Sequence, residues 1–188
     1  NHPWTEFSQA KWDLRRMLGD LGHDVESAVF TICDFNHVGR EINRKGLLHA
    51  TADKKVDGIK LAYYAVQNAV AVFDSTLERV KEPAAAVMSD KSAACFVYRN
   101  KTSGQNLVVL WDDSAPPDDA FVTRPAQVTI QGLAIKEPVW VDLVSGRIYE
   151  IPADRITAAD GATVFRDIPV YDAPVLIADK AVLPLKTE

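Results

Sequence analysis

The chain has 188 residues, 47% hydrophobic and 25% charged, with a formal net charge of −5. That is ordinary globular composition, enough for one domain or two small ones and for a core that needs no disulfide or metal staple. No apolar run reaches the ~18–20 residues of a membrane helix, and the 21 basic residues divide as 11 in 1–83 and 10 in 84–188 without clustering, which argues against a membrane partner and against a nucleic-acid partner.

The sequence opens at Asn1 rather than Met, three residues ahead of a helix and with no signal-peptide pattern. This reads as a fragment or a processed chain. Ala10, Leu14, Met17, Leu18 and Leu21 recur at i, i+4, i+7, i+8 and i+11, which predicts a helix over 5–21. Thr5 or Ser8 can cap it, Glu6 suits the positive end of its dipole, and Gly22 can stop it in the left-handed conformation. Residues 25–35 follow, and from Ala28 to Cys33 they are almost continuously apolar, as in a strand covered on both faces. After a long loop, residues 58–80 return to helical period, with Leu61, Ala65, Ala69, Val72, Phe73 and Leu77 facing inward.

Helix, buried strand, loop, helix is the repeat of a parallel α/β sheet. One strand is no sheet, so its neighbours are expected from polypeptide beyond these 188 residues. The pattern changes at Glu82-Pro83-Ala84. Seven short β-rich runs follow: 94–98, 107–111, 127–130, 139–144, 147–151, 163–165 and 175–178. Turn signals divide them, including Ser145-Gly146 between two runs that read as a hairpin. The expected organisation is an α/β segment at 1–83, a linker at 84–91 and an antiparallel β-sandwich at 92–188.

Polar groups at the end of the strand 25–35 make Asp34, Phe35, Asn36, His37 and Arg40 candidate substrate contacts. A solvated loop whose charges pair with one another is the competing reading, and Asp34 serves equally as a buried acceptor. There is no nucleophile elbow, zinc-protease helix or phosphate loop. Cys33 and Cys95 are too far apart in sequence for a metal pair and read as free thiols in apolar runs. The acidic pairs at 112–113 and 118–119 read as solvated turns rather than a calcium loop. Neither metal nor cofactor is expected. Trp111 and Trp140 lie in predicted strands and should fill the sandwich core, which leaves Trp4 as the surface candidate.

Three stretches carry a resemblance: Trp4-Thr5-Glu6 with Gln9-Ala10-Lys11-Trp12 and Leu14-Arg15-Arg16; Phe30-Thr31-Ile32-Cys33-Asp34-Phe35 with Gly46-Leu47-Leu48; and Lys60-Leu61-Ala62-Tyr63-Tyr64-Ala65-Val66-Gln67-Asn68. They resemble the closing segment of a retaining (β/α)8-barrel glycoside hydrolase. Residues 141–149 and 174–179 resemble the β-sandwich that follows the barrel in such enzymes. The resemblance implies the last βα units of an incomplete TIM barrel, with 5–21 as its seventh helix, 25–35 as its eighth strand and 58–80 as its eighth helix, followed by a sandwich at 92–188. Retaining enzymes use two carboxyl groups about 5–5.5 Å apart. In this family they follow the fourth and seventh strands, so the resemblance implies no catalytic residue in this segment; Glu6 falls in the helix start. It further implies a carbohydrate substrate bound through the complete barrel, a missing N-terminal barrel portion of the same protein as partner, and a secreted or periplasmic location. Two alternatives stand beside it. One is a non-catalytic carbohydrate-binding module, which needs exposed, coplanar aromatics, with Trp111, Trp140, Tyr149 and Tyr171 as the residues to inspect; if all are buried, the sandwich is a buttress. The other is a structural β-sandwich protein.

Overall fold

The computed structural model describes residues 5–36, 42–81, 85–88 and 92–184. Helix α1 (Glu6–Gly22) begins with a capping box in which Thr5 and Ser8 satisfy each other's backbone N–H. Ala10, Leu14 and Leu18 of its stripe are buried. Gly22 is not a left-handed stop. It closes the helix, His23 caps it, and the positive φ falls at Asp24. What Gly22 provides is room: a Cβ there would lie 2.6 Å from the Phe96 ring.

Two small hairpins follow, β1 (Phe35–Asn36) with β2 (Ile42–Asn43) and β3 (Leu48–Ala50) with β4 (Val56–Ile59). Helix α2 (Leu61–Val72) comes next. The remaining strands are β5 (Leu77–Val80), β6 (Ala85–Met88), β7 (Ala93–Asn100), β8 (Asn106–Asp112), β9 (Arg124–Gln131), β10 (Pro138–Asp142), β11 (Arg147–Glu150), β12 (Ile156–Ala159), β13 (Ala162–Val170) and β14 (Val175–Asp179). They form a six-stranded sheet, β11-β10-β14-β8-β7-β5, and a four-stranded sheet, β12-β13-β9-β6.

Burial along β8 and β14 shows how the layers stack. Leu107 to Trp111 and Val175 to Asp179 are all buried, so both faces are covered at the centre of the six-stranded sheet. Cross-strand register puts Val97, Val108, Ile177 and Trp140 on one face. Trp140 Nε1 donates to the Pro169 carbonyl of β13, so this face meets the four-stranded sheet. Phe96, Val109 and Trp111 are on the other face. Phe96 lies against Gly22 and Trp111 against Gly19, so this face meets α1. One continuous core joins Ala10, Leu14, Ala65 and Ala69 of the helices to the sandwich.

The family resemblance implies a piece of a TIM barrel, and the structure corrects this: the described residues are mostly β-sheet with two α-helices, and no barrel closes among them. Among the described residues every strand pairing is antiparallel, and the one parallel contact is an isolated bridge between Cys33 and Leu48. Residues 25–34 form no strand. Leu47 and Leu48 donate to the Thr31 and Ile32 carbonyls, Asp34 donates to that of Leu48, and the opposite edge has no strand beside it among the described residues. Val25, Phe30 and Ile32 are 51%, 68% and 59% exposed. An apolar β-branched run reports a tendency to be buried; a parallel strand also needs neighbours, which periodicity cannot supply.

The helix expected over 58–80 is also shorter. Gly58 and Ile59 belong to β4, and Leu77–Val80 is β5, an edge strand of the sandwich. Asp74 breaks the period by accepting from the Thr76 N–H and hydroxyl in a tight turn. The seven β-rich runs all form strands, β7 to β11, β13 and β14, and Gly146 makes the β10–β11 turn at φ +72°. Strands β5, β6 and β12 are additions; β6 occupies 85–88, inside the stretch expected to be a linker.

Candidate functional site

The N-terminal layer is fastened to the sandwich by polar contacts as well as apolar ones. Lys11 is fully buried, and its Nζ lies 2.6 Å from both Asp172 and the Ala120 carbonyl, above the Phe7 ring. Arg15 pairs with Asp113 and donates to the Ala115 carbonyl, and Thr5 donates to Asp119. Asn68 of α2 donates to the Leu143 carbonyl. The acidic pairs of the 112–119 stretch, expected as solvated turns, therefore help to hold the helices. Asp112 itself pairs with Arg124. Burial alone would raise its pKa, but the hydrogen bonds from Arg124 and Ser114 outweigh that and hold it down at about 2.

Asp34 sits at the centre of the small-hairpin region. Its side chain is fully buried, and Oδ1 accepts from Lys60 Nζ at 2.6 Å and from the Gly46 N–H at 3.0 Å. Lys60 Nζ also donates to the Arg44 carbonyl, while Asp34 Oδ2 is buried with no hydrogen-bond partner among the described residues. Gly46 must be glycine here, since a Cβ would lie 2.2 Å from the Asp34 nitrogen. Gln9 of α1 donates to the Lys45 and Gly46 carbonyls and approaches Asp13. Burial raises the Asp13 pKa to about 6, against the pull of Gln9, Lys60 and Lys45. Glu6, at the helix start as expected, accepts from the Leu61 N–H and so caps α2 rather than its own helix.

The other candidate contacts lie nearby. Phe35 is half-buried and packs edge-on against the exposed Phe30 at 5.5 Å. Asn36 pairs through its backbone with Ile42. His37 and Arg40 lie outside the described residues, as does Trp4. Several described charges of this loop pair with one another: His49 bonds Asp57 on one ring nitrogen and Arg44 on the other, and Lys55 pairs with Asp53.

Two hollows flank the 25–35 segment. The larger, about 530 Å³, lies between the end of α1, the 24–29 stretch and α2; Met17, Leu21, Val29 and Phe73 line it together with Asp24 and Glu26. The smaller, about 210 Å³, is lined by Cys33, Asp34, Phe35, Ile42, Ala50 and Val56, among others. Phe30 and Ile32 stand exposed on the stretch between them. This surface was not apparent from the sequence, where the same residues read as interior.

Of the aromatics that decide between a buttress and a sugar-binding face, Trp111, Tyr171 and Trp140 are buried, and Tyr149 is 49% exposed. Tyr171 donates to Asp142 at 2.7 Å, and its burial beside that carboxylate pushes its pKa far up. Cys95 is half-buried, its thiol pushed up to about 12 by burial. No group of three or more His, Cys, Asp or Glu side chains able to hold a metal occurs among the described residues. Comparison with protein-family models, with curated proteins and with solved structures finds no match for the chain.

Proposed function

We propose that this chain is the non-catalytic part of a glycoside hydrolase, a helix-clad β-sandwich that seats against the enzyme's catalytic polypeptide through residues 25–35. The sequence resemblance supports the enzyme class. The observation that carries the docking role is the bonding of 31–34 on one side only, among the described residues, between two partly apolar hollows. A bare extended edge with exposed Phe30 and Ile32 is a surface that folded proteins normally cover. Its occupant is polypeptide, because an extended chain can satisfy main-chain donors and acceptors along an edge while side chains fill the hollows. The sandwich then acts as a buttress: its large core holds α1 and α2, and they hold the docking segment.

The test is purification from the native source with an antibody raised against this chain. Glycoside-hydrolysing activity should travel with the antigen and release its product with retained anomeric configuration, while the isolated 188 residues hydrolyse nothing. Antigen free of activity on a broad panel of glycosides, or hydrolysis by the isolated chain, would overturn the reading.

A further inference from the structure

We propose that the cleft at the β11 edge of the sandwich binds a single pyranose ring, with Tyr149 as its stacking platform. This rests on the carbohydrate reading above for its ligand class, but on a different surface for its evidence. Strand β11 is the outermost strand of the six-stranded sheet, and the chain leaves it through a short 3-10 turn at Ala153–Arg155 to enter β12 of the other sheet. The crossing leaves a cleft of about 240 Å³ between the sheets.

Each wall has a physical reason. Tyr149 lies directly across from Trp140 in the β10–β11 ladder, so both rings project from the same face, 5.6 Å apart. The Trp140 indole is locked by its bond to the Pro169 carbonyl and forms the floor. Tyr149 is the half-exposed ring. Ile151 and Ile168 close the apolar side. A bulge in β13 between Phe165 and Ile168 puts Asp167 at φ +53°, and the Asp167 carbonyl accepts from Arg155 Nη1 at 3.1 Å. That bond fixes the guanidinium at the rim, its further N–H donors unspent among the described residues.

An aromatic floor bordered by a fixed guanidinium donor matches a pyranose. The C–H face of the ring stacks on an aromatic plane, while its hydroxyls accept from the guanidinium. A purely apolar ligand would leave the guanidinium donors unused. The volume falls below the ~300–1,000 Å³ of drug-sized sites, which suits one ring rather than several. Affinity should accordingly be weak, with a dissociation constant on the order of 1 mM.

The whole chain is titrated with the methyl glycosides of glucose, galactose, mannose and xylose, and with cyclohexanol as an apolar control, while the Trp140 indole N–H resonance is followed by NMR. At least one glycoside should shift it saturably in the millimolar range, and cyclohexanol should not. Tyr149→Ala should weaken binding about tenfold or more and Tyr149→Phe should retain it, both with an unchanged urea midpoint. Arg155→Met should also weaken it. If no glycoside shifts the resonance, if cyclohexanol alone does, or if Tyr149→Ala binds as well as the parent, the inference fails. Those outcomes leave the hydrolase reading standing, because glycosidase activity in the native material is measured separately. Saturable sugar binding without that activity would sink the hydrolase reading and leave the cleft.

Discussion

Asp34 and Lys60 are a buried ion pair whose two members were both put in place by the small-hairpin loop, with side chains 0% and 6% exposed. Such a pair contributes little net stability but is costly to break, because the survivor is left charged in a dry site. Lys60→Met should therefore lower unfolding free energy by ~3–5 kcal/mol, and adding Asp34→Asn should restore part of it; urea midpoints of the two variants measure the difference. Asp13 titrates in the opposite sense to most structural carboxylates. Burial raises its pKa to about 6, so the folded state holds the proton more tightly than the unfolded chain. Its contribution is fully present below the ordinary carboxyl value near 4 and is lost as pH rises through about 6. Asp13→Asn should flatten stability across that window and raise it at pH 7, as read from midpoints at both ends.

At the scale of elements, the seam between α1 and the six-stranded sheet depends on small residues under large rings. Gly22 admits Phe96, which in turn packs on Trp111 at 5.7 Å and carries the Arg79 guanidinium on its face. Gly22→Ala improves helix propensity by roughly 1 kcal/mol. The clash with the ring should exceed that gain, giving net destabilisation of ~1–3 kcal/mol by overpacking. Phe96→Leu in the same chain should recover much of the loss, a coupling that a double-mutant cycle reads directly. Ring crowding, rather than backbone conformation, explains the glycine at this position.

For the whole molecule, the consequence of an uncovered 25–35 segment is self-association. The isolated chain should bind a hydrophobic dye and form aggregates whose size grows with concentration. Phe30→Lys with Ile32→Lys should suppress both without lowering the urea midpoint, because these side chains are mostly exposed already. Light scattering together with chemical denaturation checks both halves of this expectation; a drop in midpoint would mean that the two residues pack into the core instead.

Much of the sandwich was legible in the residues themselves. Apolar runs such as Leu107–Trp111 and Val175–Ala178, cut by turn residues such as Ser145-Gly146, carry strand position locally, and the caps and stripe of α1 are equally local. The charged side chains were harder to read. Lys11, Asp34 and Glu6 took their roles from partners 161, 26 and 55 positions away, distances at which composition and period say nothing. The cleft at Tyr149 likewise exists only because one sheet has an outer strand where the chain crosses to the other. The sequence alone determined which segments seek burial, since that depends on side-chain chemistry and spacing. Only the tertiary structure decided which of them obtain it: Val108 lies between two layers while Phe30 lies open, because burial is a property of neighbours and not of the residue.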